Sequence, residues 1–235
     1  MPPGGPRILA MGGASLLASS TDGPLHQYLL DLTGYERPRI CFIGTASGDS
    51  PEYIASFYAF FARRAEATHL PLFNRRTDDI EGLLLEQDAI YVGGGNTANL
   101  LAIWRLHGVD AALKRAWEGG VILAGPSAGA ACWFEGATTD SFGQELAPLR
   151  DGLRFLKGSF CPHYDSESLR RPRYHELVGD GALPDGYAAD DGVALLFEGR
   201  ELRETVASLP GSSAFRVERR RGGVDETPIR PKVIR

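Results

Sequence analysis

Residues 121–134, with the sequence VILAGPSAGAACWF, are the stretch from which the fold of this chain is predicted. The run VILA at 121–124 is apolar and does not alternate with polar residues, which is typical of a strand covered on both faces. It leads through Gly125 and Pro126 into small residues that open a helix. A buried strand that passes through a tight turn into a helix is the repeating unit of a parallel α/β sheet.

The same pattern recurs on both sides of this stretch. Apolar runs at 7–11 (RILAM), 39–43 (RICFI) and 89–92 (AIYV) each lead into small or glycine-rich turns. Helical patterns at 51–67, 97–106 and 110–118 lie between the runs, and 192–197 and 205–208 read as late antiparallel strands. The alternation predicts a three-layer α/β sandwich with a mainly parallel central sheet. We find no repeat or linker, so we expect residues 1–235 to form one domain.

Ser127 is the polar residue in the turn after the strand at 121–124. A nucleophile elbow needs a serine on a tight, strained turn, flanked by small residues that leave room for the sharp backbone fold. Gly125, Ala128, Gly129 and Ala130 meet that need. The N–H of Ala128 is then a candidate oxyanion donor. The alternative is a tight strand–helix crossing that happens to contain a serine.

Glycines 93–95 follow the strand at 89–92. They leave backbone amides free and allow another group to approach closely. Because this turn and Ser127 open at the same edge of a parallel sheet, Gly94 or Gly95 is the candidate second oxyanion donor. A plain strand–helix turn and a phosphate loop are the alternatives, but the sequence contains neither GK[ST] nor GxGxxG.

His163 is the candidate general base among five histidines. It follows an apolar run at 155–160 and stands at a predicted strand end, from which it can reach a hydroxyl on the same sheet edge. A structural histidine is the alternative.

Composition narrows the possible partners. The formal net charge of −5 argues against nucleic acid, since binding to phosphates needs a basic surface. The three cysteines show no CxxC spacing, and no metal-ligand cluster is visible, so we expect no cofactor and no metal. No apolar run approaches the roughly 20 residues that span a bilayer, and no secretory signal is apparent. We therefore expect a cytoplasmic protein without a membrane partner.

Three motifs together resemble the peptidase E (aspartyl dipeptidase) family of serine peptidases, whose relatives include cyanophycinases. They are YVGGGNT at 91–97, GPSAGAACWF at 125–134 and CPHYD at 161–165. The resemblance implies a fold similar to class I glutamine amidotransferases (flavodoxin-like), with Ser127 as nucleophile and His163 as base. It also implies metal-free hydrolysis of short peptides with an N-terminal aspartate, so the expected partner is a small peptide substrate, with a homodimer as a possible assembly.

The third member of the triad is left open. The resemblance implies an acidic residue between the serine and the histidine, which favours Asp140 and then Glu145. Asp165, two residues after His163, is a further candidate. Glu135 is disfavoured, because on a continuing helix it would lie roughly 12 Å from Ser127.

Recognition of an N-terminal aspartate requires a cation for its side chain, and the arginines after His163 are the candidates. Arg171, with Arg170 and Arg173 beside it, would offer a guanidinium fork to a substrate carboxylate, although an exposed basic loop is the simpler interpretation. Two other functions stay open. One is a cyanophycinase-like hydrolase acting on β-aspartyl-arginine, and the other is a non-catalytic binding protein on the same scaffold.

Overall fold

The computed structural model of the chain describes residues 5–16 and 23–235. Its strands, in chain order, are β1 (Arg7–Met11), β2 (Arg39–Ile43), β3 (Glu66–His69), β4 (Ala89–Val92), β5 (Ile122–Pro126), β6 (Gly136–Thr139), β7 (Ala147–Leu149), β8 (Ser159–Cys161), β9 (Gly186–Ala189), β10 (Val193–Glu198), β11 (Glu201–Ala207), β12 (Ala214–Arg220), β13 (Gly223–Ile229) and β14 (Lys232–Val233). Its helices are α1 (Gly23–Thr33), α2 (Pro51–Phe61), α3 (Ile80–Leu85), α4 (Thr97–His107), α5 (Val109–Glu118), α6 (Ala128–Ala131) and α7 (Arg170–Gly179).

The larger sheet has eight strands in the spatial order β14-β11-β10-β1-β5-β4-β2-β3. Strands β1, β5, β4, β2 and β3 are parallel neighbours. Strand β10 runs antiparallel to β1, with Met11 opposite Ala194. The carboxyl ends of the parallel strands and the amino end of β10 therefore share one edge of the sheet.

Helices cover both faces of this sheet because its strands are apolar on both sides. Leu9 and Met11 of β1 belong to a cluster with the apolar side chains of α1 and α2. Ile8 and Ala10, which point the other way, belong to a cluster with α4 and α5. The predicted mixed α/β sandwich with a mainly parallel central sheet is confirmed.

A second sheet, which the sequence analysis did not predict, has six strands in the order β13-β12-β9-β8-β6-β7. Ala137, Phe160 and Ala189 of this sheet share a hydrophobic cluster with the central sheet. Tyr174 and Val178 of α7 pack with Ala188 of β9 and Val217 of β12 in a separate cluster. The second sheet thus lies between the central sheet and α7.

Two predicted helices differ from those observed. The helix expected at 51–67 ends at Phe61, because the chain from Glu66 pairs with β2 and its N–H donates to Pro38 O. The helix after Ser127 has only four residues, so its dipole is small and Glu135 does not extend it. The late antiparallel pair is confirmed as β10 and β11. No helix within the described residues is long and apolar enough to cross a bilayer.

Candidate active site

Ser127 occupies a strained turn between β5 and α6. Its backbone has φ 54° and ψ −115°, a region that L-residues rarely adopt. The turn is tight because two glycines press against one carbonyl. A Cβ on Gly125 or Gly129 would lie 2.2 or 2.1 Å from Val92 O. The strained turn that a nucleophile elbow requires is therefore present at the end of β5.

The backbone N–H groups of Ala128 and Gly95 lie beside Ser127. Neither of them donates to an acceptor within the described residues. The N–H of Gly94 is already engaged, since it donates to Tyr53 Oη at 3.2 Å. Gly95 has φ 136°, and a Cβ there would lie 2.3 Å from Ala46 O. Of the two glycines considered from the sequence, Gly95 therefore has the free donor.

His163 is paired with an acid that the sequence analysis did not select. Its Nδ1–H donates to Asp191 Oδ1 at 2.7 Å. His163 has φ 54°, so its backbone is in the left-handed region. The hydrogen bond from His163 is the main reason that the pKa of Asp191 lies below its ordinary value. An ionised Asp191 orients the imidazole so that Nε2 is left free to accept a proton.

The end of β1 links this pair to Ser127. The N–H of Ser127 donates to Met11 O at 3.2 Å. A Cβ on Gly13 would lie 2.9 Å from His163 Cε1 and 2.0 Å from Asp191 Oδ1. Serine and histidine therefore lie at one sheet edge, on either side of the last residues of β1. No hydrogen bond between their side chains is present in the described part of the chain, and such bonds are often long before substrate binds.

A depression of about 390 Å³ adjoins this edge. One wall is formed by residues 14–16, which continue from Gly13, and the other by Tyr53, which contacts Gly94. Glu52 and Ser56 also line it. The depression is a candidate entry for substrate. Residues 17–22, part of a loop considered for substrate access, lie outside the described residues.

The acids considered from the sequence lie elsewhere. Asp140 is exposed after β6, and the following Ser141 Oγ accepts from the N–H groups of Thr97 and Ala98, which ties this segment to α4. Glu145 is exposed beside Arg173 of α7. Neither carboxylate contacts His163 within the described residues, because the β6–β7 hairpin packs on α4 and α7.

The other two acids also have different partners. Glu135 accepts from the N–H of Gly158 at 2.9 Å. Asp165 accepts from the N–H of Asp191 at 2.9 Å, so it supports the acid that faces His163 and does not itself contact the imidazole.

The three arginines after His163 differ in availability. Arg170 is buried and donates to Thr138 O and Glu167. Arg173 donates to Leu146 O and Glu176. Arg171 is half-exposed, pairs with Glu226 through one terminal nitrogen, and lies over Phe215 at 4.9 Å. Arg170 is therefore closed to a ligand, whereas the side chains of Arg171 and Arg173 are 50% and 42% exposed and remain accessible.

The sequence did contain a signal for Asp191. Asp190 and Asp191 directly precede the predicted strand at 192–197. An antiparallel strand placed beside β1 begins where β1 ends, so residues just before it fall at the carboxyl edge. Had the strand at 192–197 been predicted to lie beside β1, Asp191 would have been a candidate partner of His163.

The three cysteines are buried and free. Burial raises the pKa of Cys132 well above its ordinary value, so its thiol is unsuited to nucleophilic attack. Within the described ranges, no group of three or more His, Cys, Asp or Glu side chains is arranged to hold a metal ion.

Comparison with known proteins gives the class first. The structure of a peptidase from an acI-B1 actinobacterium matches with a TM-score of 0.69 at 16% identity, covering 97% of this chain and 95% of that one. A putative peptidase E protein from Listeria monocytogenes EGD-e matches with a TM-score of 0.61 at 18% identity, covering 85% of this chain and 96% of that one. The fold is thus that of peptidase E-type proteins.

The family follows from sequence. The model of peptidase family S51 matches residues 8–205. The uncharacterized peptidase YgaJ of Bacillus subtilis strain 168 is 48% identical over 229 residues, which cover 97% of this chain and 99% of that protein. The chain belongs to peptidase family S51, and the resemblance to peptidase E is confirmed.

Proposed function

We propose that this peptidase is a serine enzyme in which Ser127, His163 and Asp191 form the catalytic triad. The observation that carries the proposal is the meeting of two independent features at the end of β1. One is the strained serine turn with free amides at Ala128 and Gly95. The other is the hydrogen-bonded pair of His163 and Asp191. Since both sheets contribute to one hydrophobic cluster, we further propose that residues 1–235 act as one domain.

In this mechanism His163 Nε2 takes the proton from Ser127 as the hydroxyl oxygen attacks the scissile carbonyl. The amides of Ala128 and Gly95 donate to the oxyanion. The imidazolium then protonates the leaving amine as the C–N bond breaks, which leaves an acyl-enzyme. A water molecule, deprotonated by His163, hydrolyses the ester and returns Ser127 to its hydroxyl form. Asp191 holds the imidazole tautomer and stabilises the imidazolium throughout.

The substrate class that we favour is a short peptide, a dipeptide above all, with an N-terminal aspartate. Arg171 supports this choice, since it is half-exposed eight residues after the histidine and retains N–H groups without an acceptor in the described structure. A guanidinium binds a carboxylate through two parallel hydrogen bonds. Its pairing with Glu226 and its position over Phe215 fix the guanidinium for such a contact.

A second candidate, hydrolysis of β-aspartyl-arginine, is favoured by one observation. Asp165, Asp190 and Asp191 cluster beside His163, and only Asp191 is used by the triad. A surplus of acidic groups at this edge would attract an arginine side chain or a free amine. Under this alternative the substrate contributes the cation and Arg171 is a structural residue.

The test is hydrolysis of Asp-Leu, Glu-Leu, Ala-Leu and β-Asp-Arg by the native protein and by Ser127→Ala. We expect selective cleavage of Asp-Leu, and a loss of about 10⁴-fold or more in the variant with the fold unchanged by circular dichroism. Glu118→Gln is the control, because Glu118 is exposed at the end of α5, where the chain enters the opposite end of β5. Preference for β-Asp-Arg would select the second candidate.

Two results would count against the serine mechanism. Turnover retained in Ser127→Ala would remove Ser127 from the chemistry. No cleavage of any member of the panel by the native protein, with substrate analogues still bound, would favour a binding protein on this scaffold.

Arg171→Met tests the recognition of the substrate carboxylate. It should raise KM for Asp-Leu with a smaller effect on Ala-Leu, and equal effects on both peptides would remove Arg171 from recognition.

A further inference from the structure

The hairpin of β12 and β13 reaches the segment that carries His163, although it lies beyond residue 205, where the match to the family model ends. Strand β12 pairs with β9, and β13 pairs with β12 at the edge of the second sheet. Asp225 and Thr227 of β13 are exposed, whereas Glu226 between them points inward and is only 13% exposed. This hairpin therefore presents one carboxylate to the interior.

Glu226 receives three donors from the segment 164–175. Tyr164 Oη donates to its Oε2 at 2.5 Å, and His175 Nε2–H donates to the same oxygen at 2.8 Å. Arg171 donates to Oε1. Burial works against the charged carboxylate, but these hydrogen bonds outweigh it and lower the pKa of Glu226. The carboxylate thus joins three separated points of one segment.

Tyr164 directly follows His163, so its position constrains the base. Its side chain is 3% exposed, and its ring packs against Tyr174 and Phe215. Its N–H donates to Ala189 O at 3.2 Å, two residues before Asp191. The left-handed backbone of His163 is strained and persists only where neighbouring contacts hold it. The anchoring of Tyr164 by Glu226 is one such contact.

We propose that Glu226 is a positioning residue for the catalytic histidine, acting through Tyr164 from a hairpin outside the family-matched segment. The inference rests on the proposed role of His163 as base. It assigns a catalytic consequence to a side chain that contacts Tyr164 and, within the described residues, does not contact His163. Loss of the contact would let residues 163–165 relax, and a displacement of about 1 Å at a reacting group is enough to lower the rate about 10²-fold.

The test compares Glu226→Gln with Asp225→Asn, which makes the same charge change one residue away on the exposed side of β13. We expect Glu226→Gln to lower kcat about 10- to 100-fold on both Asp-Leu and Ala-Leu. KM for Asp-Leu should also rise, because Glu226 holds Arg171, whereas KM for Ala-Leu should change less than three-fold. Asp225→Asn should match the native protein. Tyr164→Phe removes the contacts of the Tyr164 hydroxyl with Glu226 and His175 but leaves Glu226 paired with Arg171 and His175. It should lower kcat in the same range.

A second readout is independent of turnover. In the Ser127→Ala background, the downfield proton resonance of the His163 Nδ1–H should broaden or vanish in Glu226→Gln and stay sharp in Asp225→Asn. Native kcat in both Glu226→Gln and Tyr164→Phe, with an unchanged resonance, would overturn the positioning role. A native protein that cleaves no peptide would defeat the proposed function alone, because the resonance still decides whether Glu226 orders His163.

Discussion

His163 and Asp191 are 28 residues apart in the chain, and their side chains form a hydrogen bond of 2.7 Å between Nδ1 and Oδ1. The contact arises because two loops meet at the end of β1, the one after β8 and the one before β10. Gly13 lies directly against both side chains, where a Cβ would not fit. The pair therefore depends on the order of the strands in the central sheet, because its two residues come from two loops that are far apart in the chain.

The first prediction concerns Asp191→Asn. The side chain keeps its size, but the amide nitrogen can now donate to the imidazole and favour the wrong tautomer. We expect kcat on the best dipeptide to fall about 10³- to 10⁴-fold with a smaller change in KM. Steady-state kinetics measures this, with thermal unfolding as a check on the fold.

The matched controls are Asp140→Asn and Glu145→Gln, the two acids first considered from the sequence. Both are exposed, and neither contacts His163 within the described structure. We expect kcat within about two-fold of native for each, as for ordinary surface substitutions. A large loss in either control, with Asp191→Asn active, would move the triad acid away from Asp191.

Gly13→Ala tests the close packing at the end of β1. The new Cβ would lie 2.0 Å from Asp191 Oδ1, so the carboxylate and the imidazole must shift. Because the clash is with side-chain ends, we expect the fold to survive and kcat to fall about 10²-fold. Gly23→Ala, where the nearest atom would be 3.8 Å away, is the control and should be silent. A native kcat in Gly13→Ala would show that the His163–Asp191 pair can be displaced without loss of activity, which would contradict this prediction.

The stability of the site should depend on pH through Asp190. Burial raises its pKa to about 6, with Asp165 and Asp191 adding to the effect. The native state therefore holds this proton more tightly than the unfolded chain, so its stability falls as pH rises from about 4 to about 6. Asp190→Asn keeps an oxygen that can accept from the N–H of Ser213, but cannot ionise.

After allowance for solvent screening, the ionisation of Asp190 destabilises the native state by about 1 kcal/mol. We expect the Tm of Asp190→Asn to exceed that of the native protein by about 2–4 °C at pH 8, with a smaller difference at pH 5. Calorimetry at both pH values measures it. A difference that grows toward acid would have the wrong sign and would reject the assignment.

The central sheet was predictable because its strands are buried on both faces. The strands at 7–11, 39–43 and 89–92 have the predicted bounds. An unbroken apolar run between turn residues is typical of a strand that is buried on both faces. Ser127 and His163 were selectable as candidate site residues from the turn after β5 and the end of β8. The turn and the strand end are local patterns, so they can be recognised in a single sequence without knowledge of distant contacts.

The second sheet and Asp191 depend on contacts between distant segments. Strands β6, β7 and β8 have three or four residues each, too short for a periodic pattern. The helix after Ser127 was expected to continue, but its small residues fit the close approach of Gly129 to Val92, and the chain then turns toward β6. Strand order, which no local pattern gives, decides which carboxylate meets the histidine.

Gly95→Ala tests the oxyanion donors. A Cβ there would lie 2.3 Å from Ala46 O on a residue with φ 136°, so the peptide must rotate and its N–H must leave the site. Loss of one preorganised donor costs about 10²- to 10³-fold in kcat with little change in KM. Gly108→Ala carries a positive φ of 71° but meets nothing within 4 Å, so it should lose about 1 kcal/mol of stability and keep its activity. If both variants kept native kcat, the second donor would have to be Gly94, whose N–H would first leave Tyr53.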